Sequence, residues 1–194
     1  MHRRDRRLGL ARMNPLELTL VELNGADDFH LAIKNIKVYG LETVEVAKFD
    51  VNFERQKAHV ISRASPVVIL GDYKMNGHLM IFPLNGHGLV NITLVEGLYD
   101  YELEWTMENR NGAEYAKIIK SSYDYQLGNM IYNFTNLMNG DERLSLELNK
   151  VLNDNWRVVN EELKNSIQKT LLTIHDNLFS MIFSHIPFRE LFLD

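Results

Sequence analysis

The chain contains no cysteine, which excludes disulfides, thiolate metal sites and a cysteine nucleophile. Read by itself, that absence leans toward a reducing compartment. No apolar run reaches the ~18 residues of a membrane-spanning helix. The basic start, Arg3, Arg4, Arg6 and Arg7, is followed only by Leu8-Gly9-Leu10-Ala11-Arg12, too short for the apolar core of a signal peptide. There is no Gly-x-Ser-x-Gly elbow and no phosphate-binding loop. Gly86-His87-Gly88 lacks the third glycine of a dinucleotide fingerprint and leads into a strand pattern. The seven histidines include none at ligand spacing from another, and His175 and His185 stand too far apart on one helix to share a metal. Structural or surface roles are therefore expected for them, and no catalytic group, metal or cofactor is assigned. A formal net charge of −5 argues against nucleic acid as a partner.

What the chain does have is 45% apolar residues, enough for a packed core, arranged with two periods that divide near Gly140. Before it, apolar and polar residues alternate as in strands. Leu16, Leu18 and Leu20 form one set, and Phe29, Leu31 and Ile33 a second. The second set slips in phase to Ile36 and Val38, and Val44 and Val46 slip in the same way to Phe49, Val51 and Phe53. Each slip requires a bulge, and bulges bend a sheet. Further alternating segments run from Leu79 to Pro83, Val90 to Leu94 and Tyr99 to Trp105. Asn111-Gly112 and Asn85-Gly86 both carry the chemistry of tight hairpin turns. An antiparallel meander with strong curvature is expected.

After Gly140 the apolar residues are Leu144, Leu148, Leu152, Trp156, Val159, Leu163, Ile167, Leu171, Ile174, Leu178 and Ile182, every step three or four residues. This predicts one helix over 141–186, on the order of 65 Å long, started by Asn139-Gly140 or Asp141. Glu147/Lys150, Asp154/Arg157 and Glu161/Lys164 are spaced to pair on its solvent face. A helix so long needs an equally long partner. The stripe follows a 3.6 period rather than a strict heptad, so a curved sheet wrapping the helix fits better than a coiled-coil dimer. The fold class is therefore α+β.

Several spaced motifs then resemble one family. Gly71-Asp72-Tyr73-Lys74-Met75-Asn76-Gly77, followed by Leu79, Ile81, Pro83 and Gly86-His87-Gly88, is similar to the central motif of the insect takeout and juvenile-hormone-binding proteins. So are Ile36-Lys37-Val38-Tyr39-Gly40-Leu41, Asn136-Leu137-Met138-Asn139-Gly140-Asp141, Leu152-Asn153-Asp154-Asn155-Trp156, and the ending Ile186-Pro187-Phe188 with Leu191-Phe192. The resemblance runs from about Asn14 to the C-terminus. It implies a long, curved antiparallel sheet around a long helix, enclosing an elongated apolar tunnel. It also implies an extracellular carrier, with no enzymatic activity, of juvenile hormone or another lipid-like molecule. The family's signal peptide, cysteine pair and N-terminal helix have no counterpart in Met1–Met13. The expectation is a flexible basic tail over 1–13, then one truncated domain over 14–194, with sheet 14–139, helix 141–186 and tail 187–194. A monomer is expected if the domain is complete, with transient membrane or receptor contact.

Carrying a lipid needs a dry apolar cavity rather than reactive groups. Burying ~300 Å² of ligand gives about 7 kcal/mol before association costs, which sets affinity in the micromolar range. The candidate wall residues are Phe29, Leu31, Tyr73, Leu79, Ile81, Tyr101, Trp105, Tyr132, Phe134, Trp156, Val159 and Leu163, each of which would also suit an ordinary core. Tyr73, Tyr101 and Tyr132 are candidates to offer a hydroxyl to a ligand carbonyl, ester or epoxide. Two glycosylation patterns, Asn91-Ile92-Thr93 and Asn133-Phe134-Thr135, lie on strand patterns with the asparagine facing outward. A groove that docks a partner polypeptide, and a lipid-transfer protein that extracts its ligand from membranes, are the competing readings.

Overall fold

The computed structural model describes residues 14–25 and 28–191; the expected tail over 1–13 lies outside them. Among the described residues nine strands come first: β1 (Leu16–Asn24), β2 (His30–Tyr39), β3 (Glu45–Asn52), β4 (Lys57–Ala64), β5 (Val67–Leu79), β6 (Phe82–Val95), β7 (Gly97–Arg110), β8 (Ala113–Gln126) and β9 (Asn129–Phe134). Helices α1 (Glu142–Asp154), α2 (Trp156–His185) and the short α3 (Phe188–Leu191) follow.

The strands form two antiparallel ladders, in the orders β1-β2-β5-β6-β9 and β3-β4-β7-β8. The expected meander holds within each hairpin but not between hairpins, because the chain passes from one ladder to the other after β2, β4, β6 and β8. Most of these crossings are very short. Only Glu96, with φ 52, separates β6 from β7. Gly128 N–H donates to the Val95 and Glu96 carbonyls at 3.0 and 3.3 Å, and Glu96 N–H donates to Ser65 Oγ at 2.9 Å. The crossings are thus stitched side by side, and the two ladders continue as one long curved layer.

Both expected bulges are present, between Lys34 and Lys37 in β2 and between Val46 and Lys48 in β3. They lie in different ladders, so each bends its own ladder. A third falls at Glu104/Trp105. In β1 the inward set also slips, from Leu16 and Leu18 to Val21 and Leu23, which leaves Leu20 46% exposed.

Asn111 and Gly112 make the expected two-residue hairpin, with φ of 53 and 83, the left-handed pair that such a turn requires. Asn85-Gly86 does not turn. It lies within β6 opposite Asn76 and Met75, and the hairpin instead closes at Met80-Ile81, where Leu79 pairs with Phe82. The glycine at position 86 serves packing: a Cβ there would lie 2.7 Å from the carbonyl oxygens of Asn136 and Leu137.

The single helix expected over 141–186 breaks at Asn155, whose φ and ψ are −115 and 25. Its side-chain Nδ2 donates to the Val151 carbonyl at 2.8 Å and its backbone N–H to the same oxygen at 3.1 Å. An asparagine that satisfies the preceding turn in this way competes with helix propagation. Asp141 does cap α1, its Oδ1 accepting from Leu144 N–H at 2.9 Å. The surface pairs also differ from expectation: Glu147 meets Arg143 at 3.0 Å and Lys164 reaches across to Asp124 at 3.7 Å.

The apolar interior consists of two clusters between the sheet layer and the helices. One is built around Phe29, Leu31, Tyr73, Met75, Leu84, Tyr132, Phe134 and Leu137, the other around Tyr101, Leu103, Trp105, Tyr123, Tyr125 and Phe183. Tyr99, Leu127 and Ile167 pack against both, so the apolar region is continuous along α2.

Candidate ligand-binding interior

Register places the inner face of the second ladder residue by residue. Phe49 on β3 is opposite Val60 on β4, which is opposite Tyr101 on β7, which is opposite Tyr123 on β8. One row along, Val51, Ala58, Leu103 and Ser121 align in the same way. Directly opposed residues share a face. The β7–β8 side of this face is buried under α2: Tyr101, Leu103 and Trp105 are 3%, 2% and 2% exposed. The β3 side is open to solvent: Val46 and Phe49 are 62% and 57% exposed. The bulge in β3 keeps Val46 and Phe49 on one face across the phase slip.

Of the residues expected to line a cavity, Phe29, Leu31, Tyr73, Leu79, Tyr132, Phe134, Val159 and Leu163 are buried in the first cluster, and Tyr101 and Trp105 in the second. The structure therefore divides them between two neighbouring clusters rather than one. One departs from an inward facing, and one packs against the first cluster only in part. Ile81 occupies the β5–β6 turn and is 83% exposed, because the hairpin closes there and not at Asn85. Trp156 is only half-buried, at the head of α2, with the Arg157 guanidinium 4.5 Å above its ring.

The three tyrosines proposed as polar handles separate cleanly. Tyr73 O–H donates to the Thr135 carbonyl at 2.6 Å, and burial pushes its hydroxyl up to about 12. Tyr101 O–H donates to Asp176 Oδ1 at 2.7 Å, and burial, followed by that carboxylate, raises its pKa further. Tyr132 O–H has no partner among the described residues, and burial raises it as well. The other buried side-chain atom without a partner among the described residues is Trp105 Nε1.

Residue patterns did not single out the polar spot on α2. Asp176 accepts from Tyr101 and also from Ser121 Oγ at 2.8 Å. Beside it His175 lies 4.6 Å from the Tyr123 ring and 5.5 Å from Tyr101, with Nδ1 at 2.8 Å from the Leu171 carbonyl. Desolvation holds the imidazole below its usual range. Phe179 stacks on Tyr101 at 5.2 Å. The i, i+2 pair Tyr123/Tyr125 and the i, i+4 pair Phe179/Phe183 carried the signal for this second cluster. An open depression of about 490 Å³ lies elsewhere, at the ladder crossing beside Thr43, Arg63, Ser65 and Glu96. Its wall mixes charged residues with Ala64 and Leu98, and it lies apart from the face under α2.

On the opposite face of the layer Asn91 and Asn133 are exposed and directly opposed across β6 and β9. Also on that side His59 Nε2 lies 2.8 Å from Asp100 and 4.0 Å from Glu102. These three are the described residues grouped closely enough to share an ion, but Lys48 Nζ stands 3.4 Å from His59 Nδ1 and supplies the positive charge there.

The sequence profile described as haemolymph juvenile hormone binding protein (JHBP) matches residues 3–193. The chain belongs to the JHBP family. Its structure matches the crystal structure of Epiphyas postvittana Takeout 1 with a TM-score of 0.84 at 20% identity, over 94% of this chain and 85% of that chain. A crystal structure of lipopolysaccharide binding protein matches with a TM-score of 0.34 and 11% identity, over 90% of this chain and 36% of that chain. No curated protein matches by sequence. The JHBP profile begins inside the segment read as a tail, and the takeout fold agrees with a curved antiparallel layer along a long C-terminal helix.

Proposed function

We propose that this chain binds a small hydrophobic ligand, juvenile hormone or another lipid-like molecule, along the inner apolar face beside α2, and carries it without chemical change. The observation that carries the reading is the uncovered half of that face. Val46 and Phe49 continue the rows of Tyr99 and Tyr101 across β4, yet stay more than half exposed. Contiguous apolar surface left open in this way marks a binding surface. A ligand that buried ~300 Å² against it would gain about 7 kcal/mol before association costs, consistent with micromolar affinity. Family membership supports the same reading, and the word haemolymph in the family description supports an extracellular setting.

The test is titration with an environment-sensitive fluorescent lipid, then competition with a juvenile-hormone analogue, with Phe49→Ser as the variant. Saturable, displaceable fluorescence that weakens in the variant supports the carrier. Absence of any saturable signal from the folded protein removes it. Native mass spectrometry of protein purified from insect cells gives a second readout, with co-purified lipid as the expected result.

A further inference from the structure

We infer that Trp105 reads the polar end of the ligand, and that this end is a neutral hydrogen-bond acceptor and not a carboxylate; the inference rests on the carrier reading above. The indole is 2% exposed and its Nε1 has no partner among the described residues. Buried polar groups are nearly always paired, so an unpaired one calls for an explanation. Indole N–H is a donor only, so its missing partner must be an acceptor.

The surroundings place that partner within reach of a bound molecule. Trp105 lies four residues along β7 from Tyr101, about 13 Å, and its ring meets Phe188 at 5.8 Å. Phe188 in turn meets Phe53 at 6.2 Å, and Phe53 directly follows β3. Phe188 thus bridges Trp105 and the β3 side, and a ligand lying over Phe49 would reach the indole past the Phe188 ring. Other interior donors are already committed: Tyr73 to Thr135, Tyr101 and Ser121 to Asp176, and Tyr125 to Asn160 at 2.8 Å. Tyr132 O–H is also unpartnered, but a hydroxyl both donates and accepts, so it does not select the class of ligand.

Charge decides between neutral and anionic acceptors. Among the described residues no lysine or arginine is buried. Desolvation disfavours the charged form of His175, and its Nδ1 is directed at the Leu171 carbonyl. The carboxylate facing this cluster from α2 is Asp176. A carboxylate head would be desolvated here with a donor but no counter-ion, and buried charges need pairing. An ester, ketone or aldehyde gains the hydrogen bond without that cost.

The experiment is displacement of a neutral fluorescent probe, N-phenyl-1-naphthylamine, by methyl laurate, laurate and dodecane near neutral pH. Methyl laurate is expected to compete about tenfold better than dodecane, from one hydrogen bond to an otherwise orphaned donor, and better than laurate. Trp105→Phe is expected to abolish the ester's advantage while leaving dodecane within about twofold of wild type. A readout that needs no variant is the indole N–H resonance. The chain has two tryptophans, and the Trp105 signal is expected to move downfield with methyl laurate but not with dodecane. Equal competition by ester and hydrocarbon, laurate as strong as its ester, or an indole signal unmoved by the ester overturns the inference alone. Failure of all three molecules to displace the probe removes the carrier reading, and this inference with it.

Discussion

Asn149 on α1 is bound to Phe134 on β9 through both arms of its amide. Phe134 N–H donates to Asn149 Oδ1 at 2.9 Å, and Asn149 Nδ2 donates to the Phe134 carbonyl at 2.8 Å. One turn later Asn153 repeats the arrangement with Tyr132, at 2.7 and 2.8 Å. The repeat works because four helical residues rise about 6 Å, close to the advance of two strand residues. The two asparagines thus stand in for an additional strand along the free edge of β9, which would otherwise present unpaired backbone groups. They also fix Tyr132 and Phe134, two of the candidate ligand contacts.

Replacing Asn153 with alanine is therefore expected to cost about 2 kcal/mol, from two lost bonds and a backbone pair left without partners. Hydrogen exchange should speed up at the Tyr132 amide before it does so in β6. A uniform rise across the sheet, or none at Tyr132, would show that the amide does not hold the edge.

The relocated β5–β6 turn separates two neighbouring aliphatic residues. Leu79→Ala removes a side chain that is 3% exposed and is expected to cost about 3 kcal/mol. Ile81→Ser alters a residue at 83% exposure and should stay within about 0.5 kcal/mol of wild type. Denaturant midpoints for the two variants check this. Similar losses in both would return the turn to Asn85-Gly86, where the dipeptide alone would place it.

Much of the architecture was legible because period and phase are local. The slips from Ile33 to Ile36 and from Val46 to Phe49 each marked a real bulge, and Asn111-Gly112 marked a real turn. Asn85-Gly86 misled because glycine serves two purposes, positive φ and close backbone approach, and the segment that approaches Gly86 lies about fifty residues away in sequence. The helix break at Asn155 was hidden for a related reason: the apolar stripe keeps its phase through Leu152, Trp156 and Val159, while the side-chain bond that ends α1 leaves no trace in periodicity. The candidate site was legible as composition but not as partnership. Three tyrosines look alike in sequence, and only the positions of Thr135 and Asp176 show that two of them are already committed.

Asn91 and Asn133 are direct cross-strand neighbours, so their side chains begin only about 5 Å apart. Both asparagines face outward, and either one can carry a glycan without disturbing the interior. Two glycans on adjacent strands at that spacing would crowd each other. Passage through a secretory pathway is expected to give folded protein with at most one N-glycan, shown by a single glycosidase-sensitive mobility step. Asn91→Gln should raise occupancy at Asn133, and a doubly modified, cooperatively melting species would contradict the crowding argument.

His175 sets the last expectation, a loss of stability on mild acidification. Desolvation beneath α2 lowers its pKa from the ordinary 6.5, and the bond to Leu171 and the Asp176 charge oppose that shift without reversing it. The other groups against the ring are Tyr101 and Tyr123, whose burial-raised hydroxyls stay neutral throughout this range. Because the folded state resists protonation, the unfolded chain takes up the proton first as pH falls. Stability from this residue is thus full above 6.5 and declines from there down to the depressed folded value. Asp28, Glu104 and Glu108 are lowered chiefly by His78, Lys57 and Lys117. As depressed carboxylates they lose their contribution only as pH falls through the carboxylate range, a separate and lower window. Thermal midpoints measured from neutral pH down to pH ~5 should therefore fall in wild type and flatten in His175→Gln, with both proteins converging on a common acid transition below that. Parallel curves for the two would place the proton elsewhere.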